Sequence, residues 1–425
     1  MQKNIKRGVR LTAALIVMLM LVNSLLPTYG DTLTTYLGMS GSSSSDSAMS
    51  DADCMEEGRD VDTGIESEGA VLLRNENNTL PLEKGSKVTI LGAMSYNYIC
   101  GGTGSAGGKY DEYTYTMKEA FDGSKTEGSG VSTEKYLDVN EKAWNWLEEA
   151  VGGSRNADSK YEGHTGTGEL STIAGSDYVE NKDAYGNGDW GGYSRVCEFD
   201  ESVYEDNKDS FMQDGYNDVA IVTFGRSGAE GASPVMDYDG DGVASTGTTY
   251  LQLSEDELGL LDFCNKNYDK TIVLINSSTP IELGEIEQEE YGVDACLWIG
   301  HPGEAGLVGV AQVLTGDVNP SGHLVDTYAY DMSTMPSFYN NDDNKYTNVE
   351  NIKTGFDQSN NFGYYQYEEG IYVGYRFYET ADAEGYFDSD AFTTHEWKNG
   401  TAKGYDEVVQ YPFGYGLSYT TFDEE

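Results

Sequence analysis

Basic side chains and histidines are scarce in this chain of 425 residues. Lysine and arginine together number 26 against 73 acidic residues, which leaves a net charge of −47. A field of that sign repels phosphate backbones, so we exclude nucleic-acid binding. The four histidines are scattered along the chain, and their positions support neither a metal cluster nor a Ser-His-Asp triad. The sequence predicts no cofactor.

Cysteine is also rare, with five residues spread over the chain. They are too few and too widely spaced for a disulfide framework, and none has the spacing of a zinc site. Cys264 falls in a predicted helix and Cys296 in a predicted strand, where a free cysteine behaves as a small apolar residue. We therefore interpret the cysteines as mostly unpaired.

Long apolar runs are absent except at the start of the chain. Residues 1–10 are basic and residues 11–26 are almost entirely apolar, a pattern typical of a secretory signal over residues 1–30. The run is slightly short for a membrane-spanning helix, and no clear cleavage site follows it. An uncleaved membrane anchor through residues 11–26 is therefore the alternative. Both interpretations predict a protein that is secreted or held on the extracellular face of the cell membrane.

Glycine and tyrosine, by contrast, are abundant, with 52 and 33 residues. Residues 31–56 are rich in Ser and Gly and are predicted to form a flexible linker. Buried strands then alternate with helices, which predicts an α/β domain with a mostly parallel sheet between helices over residues 57–330. Residues 331–425 are expected to form a loop-rich, tyrosine-rich extension packed on it. The predicted strands are 88–91, 219–224, 271–276 and 293–299, and the predicted helices are 65–74, 135–151, 254–268 and 304–314.

The stretch DVAIVTFGRSGAEG, residues 218–231, contains the main candidate for a functional group. An apolar strand runs directly into a glycine-broken loop that carries Glu230. In an open parallel sheet, ligands bind in the crevice at the carboxyl ends of the strands. Glu230 is therefore a candidate catalytic acid, although on position alone a solvated loop glutamate is the more ordinary interpretation.

Two further loops resemble ligand-binding motifs. The glycine-rich loop 101–108 follows a strand but has neither G-x-G-x-x-G order nor a phosphate-binding lysine, so we interpret it as the edge of a pocket. Asp237, Asp239 and Asp241 are spaced like the start of a calcium loop. Position twelve of that pattern is Thr248 rather than a glutamate, which favours an acidic turn over a calcium site.

Eight stretches in order resemble the α/β-sandwich domain of glycoside hydrolase family 3. Together they cover about residues 60–422, and the series is far more specific than any one stretch. The stretches are EGAVLLRNENNTLPL at 68, GGTGS at 101, GRSGAEG at 225, INSSTPIELG at 275, LWIGHPGEAG at 297, NPSGHLVDTYAYD at 319, YEEGIYVGYRFYET at 367 and YPFGYGLSYTTF at 411.

The resemblance implies an (α/β)6-sandwich with tyrosine-rich loop insertions and an enzyme that hydrolyses β-linked glycosides with retention. In the family, a (β/α)8 barrel supplies an aspartate nucleophile and the sandwich supplies an acid/base glutamate, which corresponds to Glu230 here. Retention requires the two carboxyl groups to lie roughly 5 Å apart. The resemblance also implies substrate-binding positions, which are Arg226, Ser227, Gly102, Thr103 and Ser105.

No barrel is recognisable in this chain, so it is expected to be the sandwich portion of a longer secreted β-glucosidase-like enzyme, placed first in that protein. Without the nucleophile domain, the chain alone is expected to have little or no activity. The alternative is a non-catalytic carbohydrate-binding or surface protein derived from the same domain.

Overall fold

The computed structural model describes residues 51–101, 114–125, 134–151, 198–226, 251–340, 367, 369–394 and 397–421. The chain divides into two compact units, Met1–Cys54 and Met55–Glu425. Of the first unit only residues 51–54 are described, and they are helical. The sheets and the candidate site belong to the second unit.

The described helices are α1 (Asp51–Gly69), α2 (Ala93–Tyr96), α3 (Met117–Asp122), α4 (Glu141–Ala150), α5 (Glu201–Phe211), α6 (Glu255–Asn267), α7 (Gly306–Leu314), α8 (Tyr375–Ala383) and α9 (Tyr405–Val408). The strands are β1 (Val71–Asn75), β2 (Lys87–Leu91), β3 (Asp138–Val139), β4 (Ala220–Arg226), β5 (Thr271–Ser277), β6 (Val293–Trp298), β7 (Tyr328–Ala329) and β8 (Val409–Tyr411). Short 3-10 helices occupy Glu76–Asn78, Gly284–Glu287, Met332–Thr334, Pro336–Asn340, Tyr386–Asp388 and Trp397–Gly400.

Six of these strands form one sheet in the order β1-β6-β5-β4-β2-β3. β1 runs antiparallel to β6, and the other neighbours are parallel. Every residue of β4 and β5 is buried. Because successive side chains of a strand point to opposite faces, both faces of the sheet are covered, and the predicted mostly parallel α/β fold is confirmed.

Aromatic packing joins three of the helices. α4 contacts α5, and α5 contacts α6. The indole ring of Trp146 lies 4.5 Å from the ring of Phe211 and 5.7 Å from that of Tyr204, and Phe263 packs against both of these rings. Rings at these separations bury large apolar areas, so this cluster is a main source of core stability.

Two predicted helices were partly wrong. Helix 65–74 ends at Gly69, and Val71–Asn75 instead forms β1 on the antiparallel edge of the sheet. The helix predicted at 135–151 begins only at Glu141, because Asn140 accepts a hydrogen bond from the amide of Ala143 as its N-cap. Just before it, Asp138–Val139 pairs with β2. In both places pairing with a distant strand decided the outcome.

The C-terminal region folds onto the edge of the sheet and has a small core of its own. The amide of Leu417 donates to the carbonyl of Leu72 at 2.8 Å, so the free edge of β1 is covered. The second core gathers around Tyr378, Phe387 and Phe392. This region was expected to be loop and short strand, and it also contains α8 and α9.

Cysteine burial agrees with the sequence interpretation where it is described. Cys264 in α6 and Cys296 in β6 are buried free thiols, and burial raises the pKa of both. In the described part of the chain no helix has the length and apolar character needed to cross a membrane. The apolar run 11–26 and Cys197 lie outside the described residues.

Candidate functional site

Four parallel strands end at one edge of the sheet, which we call the carboxyl edge. β2 ends at Leu91, β4 at Arg226, β5 at Ser277 and β6 at Trp298. Arg226 is paired directly with Ser277 across β4 and β5. This is the edge at which open α/β sheets bind ligands.

Arg226 closes β4 with a fully buried ion pair. Its Nη1 atom lies 2.7 Å from Oε1 of Glu257, and its Nη2 atom lies 2.8 Å from Oε2. Nη2 also donates to the carbonyl of Gln252 at 2.6 Å, and neither ionic side chain is more than 1% exposed. A bidentate pair with further hydrogen bonds is the arrangement that offsets the cost of burying two charges.

Glu257 is held in place from its own helix as well. It is the third residue of α6, where its carboxylate accepts from the amide of Ser254 at 2.8 Å and the Ser254 hydroxyl accepts from the amide of Glu257. The Ser-x-x-Glu spacing of Ser254 and Glu257 is the sequence pattern of a capping box, and the structure contains one. The same carboxylate therefore caps α6 and neutralises Arg226.

Asn276 ties together the loops that follow two other strands. Its Oδ1 atom accepts from the amide of Ile99 at 2.5 Å, and its Nδ2 atom donates to the carbonyls of Ile99 and Gly300 at 3.0 and 2.6 Å. The side chain is fully buried. One amide side chain thus fixes the segment after β2 against the segment after β6.

We expect Asn276→Ala to lower the free energy of unfolding by about 2 kcal/mol. Three backbone groups lose their partner, and water entering the vacated space restores part of those bonds. Urea unfolding of the two proteins measures the difference. Unchanged stability would mean that the contacts of Asn276 do not hold the carboxyl edge together.

The loop after β6 lies beside Arg226. The Nε2 atom of His301 is 3.4 Å from the carbonyl oxygen of Arg226, and Trp298 donates from Nε1 to the carbonyl of Ser277 at 2.9 Å. Gly300 and Gly303 have positive φ values of 50° and 69°. The glycines therefore permit the tight return that brings His301 to the end of β4.

A buried acid, Glu198, lies behind the end of β2. It accepts hydrogen bonds from the amides of Ala93 and Phe199 at 3.1 and 2.8 Å and from the hydroxyl of Tyr204 at 2.6 Å. Burial raises the pKa of Glu198 to about 8, and the three donors offset only part of that effect. Because the group is enclosed and its donors come from the protein, we assign it to the core rather than to a ligand crevice.

Only one of the predicted site residues can be placed. Arg226 lies at the end of β4, and its guanidinium is directed at Glu257 and Gln252 within the protein. Its predicted contact with substrate stays a prediction. The other predicted residues lie outside the described residues, and their roles also stay predictions: Glu230, Ser227, Gly102, Thr103, Ser105, and the calcium candidates Asp237, Asp239 and Asp241.

Sequence reasoning missed three polar side chains that organise this edge. The spacing of Ser254 and Glu257 indicates a helix cap but not that Glu257 pairs with Arg226, and Asn276 and Glu198 were not singled out. A polar residue closing an apolar strand, as Asn276 does in TIVLIN, is the one local signal that could have been used. In the described part of the chain, no group of three or more His, Cys, Asp or Glu residues could hold a metal ion.

Comparison with known proteins agrees with this fold. Residues 70–375 match the family model described as the glycosyl hydrolase family 3 C-terminal domain. A β-glucosidase of Ruminococcus albus is 29% identical over 363 residues, which are 84% of this chain and 28% of that protein. β-Glucosidase A of Butyrivibrio fibrisolvens is 25% identical over 373 residues, which are 84% of this chain and 34% of that protein.

A solved structure gives the same result in three dimensions. β-Glucosidase 3B of Thermotoga neapolitana, determined in complex with glucose, superimposes with a TM-score of 0.54 at 26% identity. The match covers 86% of this chain and 39% of that one. The chain thus spans between a quarter and two fifths of the length of these relatives. It belongs to the family of glycosyl hydrolase family 3 C-terminal domains.

Proposed function

We propose that this chain is the sandwich portion of a β-glucosidase-like enzyme and that Glu230 is its acid/base residue. Family membership and the β-glucosidase relatives support the reaction class. Relatives that extend well beyond the matched region support a further domain as a partner, and we expect that domain to be the barrel that carries the nucleophile. The substrate we propose is a β-linked glucoside or a related glycoside.

The position of Arg226 carries the assignment of Glu230. Arg226 is fixed at the carboxyl edge by its ion pair with Glu257, and Glu230 follows it by four residues in the sequence. Four residues of chain span at most about 14 Å, so Glu230 is tethered within reach of this edge. A carboxyl group there can protonate a leaving-group oxygen that a second domain presents to the sheet.

The chemistry requires two carboxyl groups with different environments. In retaining hydrolysis one carboxylate attacks the anomeric carbon, while the other group donates a proton to the departing oxygen and later takes one from water. The proton donor must keep its proton near neutral pH, which an apolar or acidic setting achieves by raising its pKa. In this proposal the chain supplies the donor, Glu230.

Export is a separate part of the proposal. The basic segment 1–10 followed by the apolar run 11–26 supports a secretory signal. It favours a protein that is secreted or held on the extracellular face of the cell membrane. Residues 1–30 fused to a periplasmic reporter enzyme should direct it out of the cytoplasm. A reporter that stays inside would contradict this part.

The experiment on Glu230 uses a fused enzyme, because the matched region corresponds to the C-terminal domain of the family and the nucleophile is proposed to come from another domain. The full chain is joined to the part of the Ruminococcus albus β-glucosidase outside the matched region, and hydrolysis of aryl β-glucosides is measured. We expect Glu230→Gln to lower kcat by about 10²–10⁴-fold for phenyl glucoside. The loss should be much smaller for 2,4-dinitrophenyl glucoside, whose leaving group needs no proton.

Glu255→Gln is the matched control, since it removes an exposed acid at the start of α6. It should leave both rates unchanged. A fused enzyme that loses the same factor with both leaving groups, or loses nothing on substitution of Glu230, would refute the acid/base assignment. A fused enzyme without glucosidase activity would instead favour a non-catalytic carbohydrate-binding protein derived from the same domain.

A further inference from the structure

We propose that an exposed surface in the C-terminal region of the chain docks a further domain of the parent protein. This surface, which we call the apolar face, consists of six side chains that are each between 39% and 73% exposed: Val325, Ile371, Tyr372, Val373, Tyr375 and Phe413. The inference rests on the further domain that the proposed function includes. The apolar face itself is built only from described residues.

The segments that carry these side chains lie beside one another. The aromatic ring of Tyr375 lies 4.6 Å from that of Phe413. Two backbone hydrogen bonds of 2.8 Å join Leu324 to residues 414–415, so the segment of Val325 runs beside the segment of Phe413. The exposed residues therefore form one surface, which distinguishes them from apolar side chains scattered singly over a protein.

A fixed turn holds residues 371–373 at the surface. Two backbone hydrogen bonds of 3.0 Å close this turn, and the glycines at its ends, Gly370 and Gly374, have positive φ values of 59° and 58°. Helix α8 begins directly after it with Tyr375 and is anchored by the buried ring of Tyr378. The folded backbone thus presents three consecutive apolar side chains to the outside.

The composition of the apolar face favours a protein partner over a sugar. Val325, Ile371 and Val373 are aliphatic, and they offer neither a flat ring to stack on a pyranose nor a group to bond its hydroxyls. Aromatic and aliphatic side chains without charges are typical of the core of a protein interface. The six side chains expose on the order of several hundred Å² together, which is the size expected of an interaction site.

Electrostatic repulsion argues against a second copy as the partner. Each chain carries a net charge of −47, so two copies in contact repel each other strongly. Around part of the apolar face, residues 367–384 include five acidic residues and a single arginine, Arg376. The partner that fits this surface presents an apolar patch with basic side chains at its edge.

The family comparison indicates where such a partner comes from. The chain covers 28% and 34% of two β-glucosidase relatives, so most of each relative lies outside the matched region. All six residues of the apolar face lie in three of the stretches that resemble the family, 319–331, 367–380 and 411–422. Their side chains add little to the core of this domain, and an interface with the remaining part of such a protein gives them a function.

The test compares the full chain alone with the fused enzyme described above. Hydroxyl-radical oxidation, located by mass spectrometry, measures which side chains contact water. We expect Tyr375 and Phe413 to be oxidised at least about fivefold more slowly in the fused enzyme, because the core of an interface excludes water. Tyr386 is 40% exposed outside the apolar face and should be oxidised equally in both proteins. Unchanged oxidation of the apolar face, or equal protection of Tyr386, would overturn the proposal.

A matched pair of substitutions tests the same contact by stability. Ile371 and Ile65 are both 67% exposed, the first in the apolar face and the second in α1. Ile371→Gln should leave the thermal unfolding of the full chain unchanged, since substitutions at exposed positions have little effect. In the fused enzyme it should lower the midpoint by at least about 2 °C, whereas Ile65→Gln should not. An equal decrease in both proteins, or none in the fused enzyme, would contradict a docking role.

Other occupants of the apolar face give different results. Protection of the full chain that grows with its own concentration would identify a second copy, and protection by added cello-oligosaccharide would identify a sugar site. Either result would overturn the inference. An active fused enzyme with an unprotected face would support the proposed function and refute the docking surface, and an inactive fused enzyme with a protected face would do the reverse.

Discussion

Gly309→Ala is expected to lower the free energy of unfolding by about 3 kcal/mol, even though alanine is the better helix former. Gly309 lies in α7 where this helix crosses α1. A Cβ atom there would lie 2.5 Å from the carbonyl oxygen of Thr63 and 2.7 Å from the amide nitrogen of Ser67. Both are backbone atoms of α1, so relief requires the two helices to separate.

Helices α1 and α7 are in close contact at other positions of their crossing as well. Gly306, three residues earlier in α7, also faces Glu66, and the carboxylate of Asp62 in α1 accepts from the amide of Ala305 at 2.7 Å to cap α7. Separating the helices would therefore weaken the cap as well as the packing. The energetic penalty should exceed that of an ordinary methyl insertion into the core.

Gly64→Ala is the matched control for this prediction. Gly64 lies in α1, and no atom lies within 4 Å of the position that its Cβ would take. Alanine there should stabilise the protein by about 0.5–1 kcal/mol, because glycine is a poor helix former. Chemical unfolding of the three proteins gives the comparison. Equal stability of both variants would show that the close approach of α1 does not exclude a side chain at position 309.

The stability of this protein is expected to fall as the pH rises from 5 to 9. Burial raises the pKa of Glu198 and that of Glu282 from 4.5 to about 8. The folded state therefore binds these protons more tightly than the unfolded state. Their contribution is fully present below about pH 4.5 and is lost as the pH passes 8, and for each group it amounts to at most roughly 5 kcal/mol.

Substitution by glutamine isolates the two groups. Glu198→Gln and Glu282→Gln should each flatten the decline in the free energy of unfolding between pH 5 and 9, and the double variant should flatten it most. Carboxylates whose pKa is lowered, such as Asp138 and Asp200, change their contribution to the free energy of unfolding only below about pH 4. That contribution is constant between pH 5 and 9. Glu149→Gln, at an exposed position of α4, is the control and should keep the full decline.

Urea titrations at each pH measure these differences. The slope with pH is the quantity to compare, because the glutamine amide also changes the hydrogen bonds that the carboxyl group makes at every pH. Parallel slopes for the unmodified chain and the double variant would show that neither acid is protonated in the folded protein.

Much of the fold could be predicted from local sequence patterns. The strands TIVLIN and VDACLW are short apolar runs between turn residues, and burial on both faces is what such runs indicate. The capping box of Ser254 and Glu257 was equally readable, since both residues lie within one helical turn. The order of the eight motifs was sufficient to predict the family.

The candidate site was only partly predictable. The sequence predicted a ligand-binding edge at the carboxyl end of β4 and identified Arg226, but it did not reveal that the Arg226 guanidinium pairs with Glu257. The two residues are 31 positions apart, and Asn276 lies 177 positions from its partner Ile99. No periodicity connects residues over such distances, so only the folded chain could reveal these contacts.

The sequence by itself determined the elements whose burial is continuous along the chain, because hydrophobic pattern and helix capping act between near neighbours. The tertiary structure decided the partners of the buried polar groups, because a buried donor or charge must be satisfied by whichever segment packs beside it. It also decided that Val71–Asn75 is a strand, since the edge of β6 was available to pair with it. Glu257 at the carboxyl edge shows both effects. Its role as a helix cap follows from the local sequence, and its role as the counter-ion of Arg226 follows from tertiary packing.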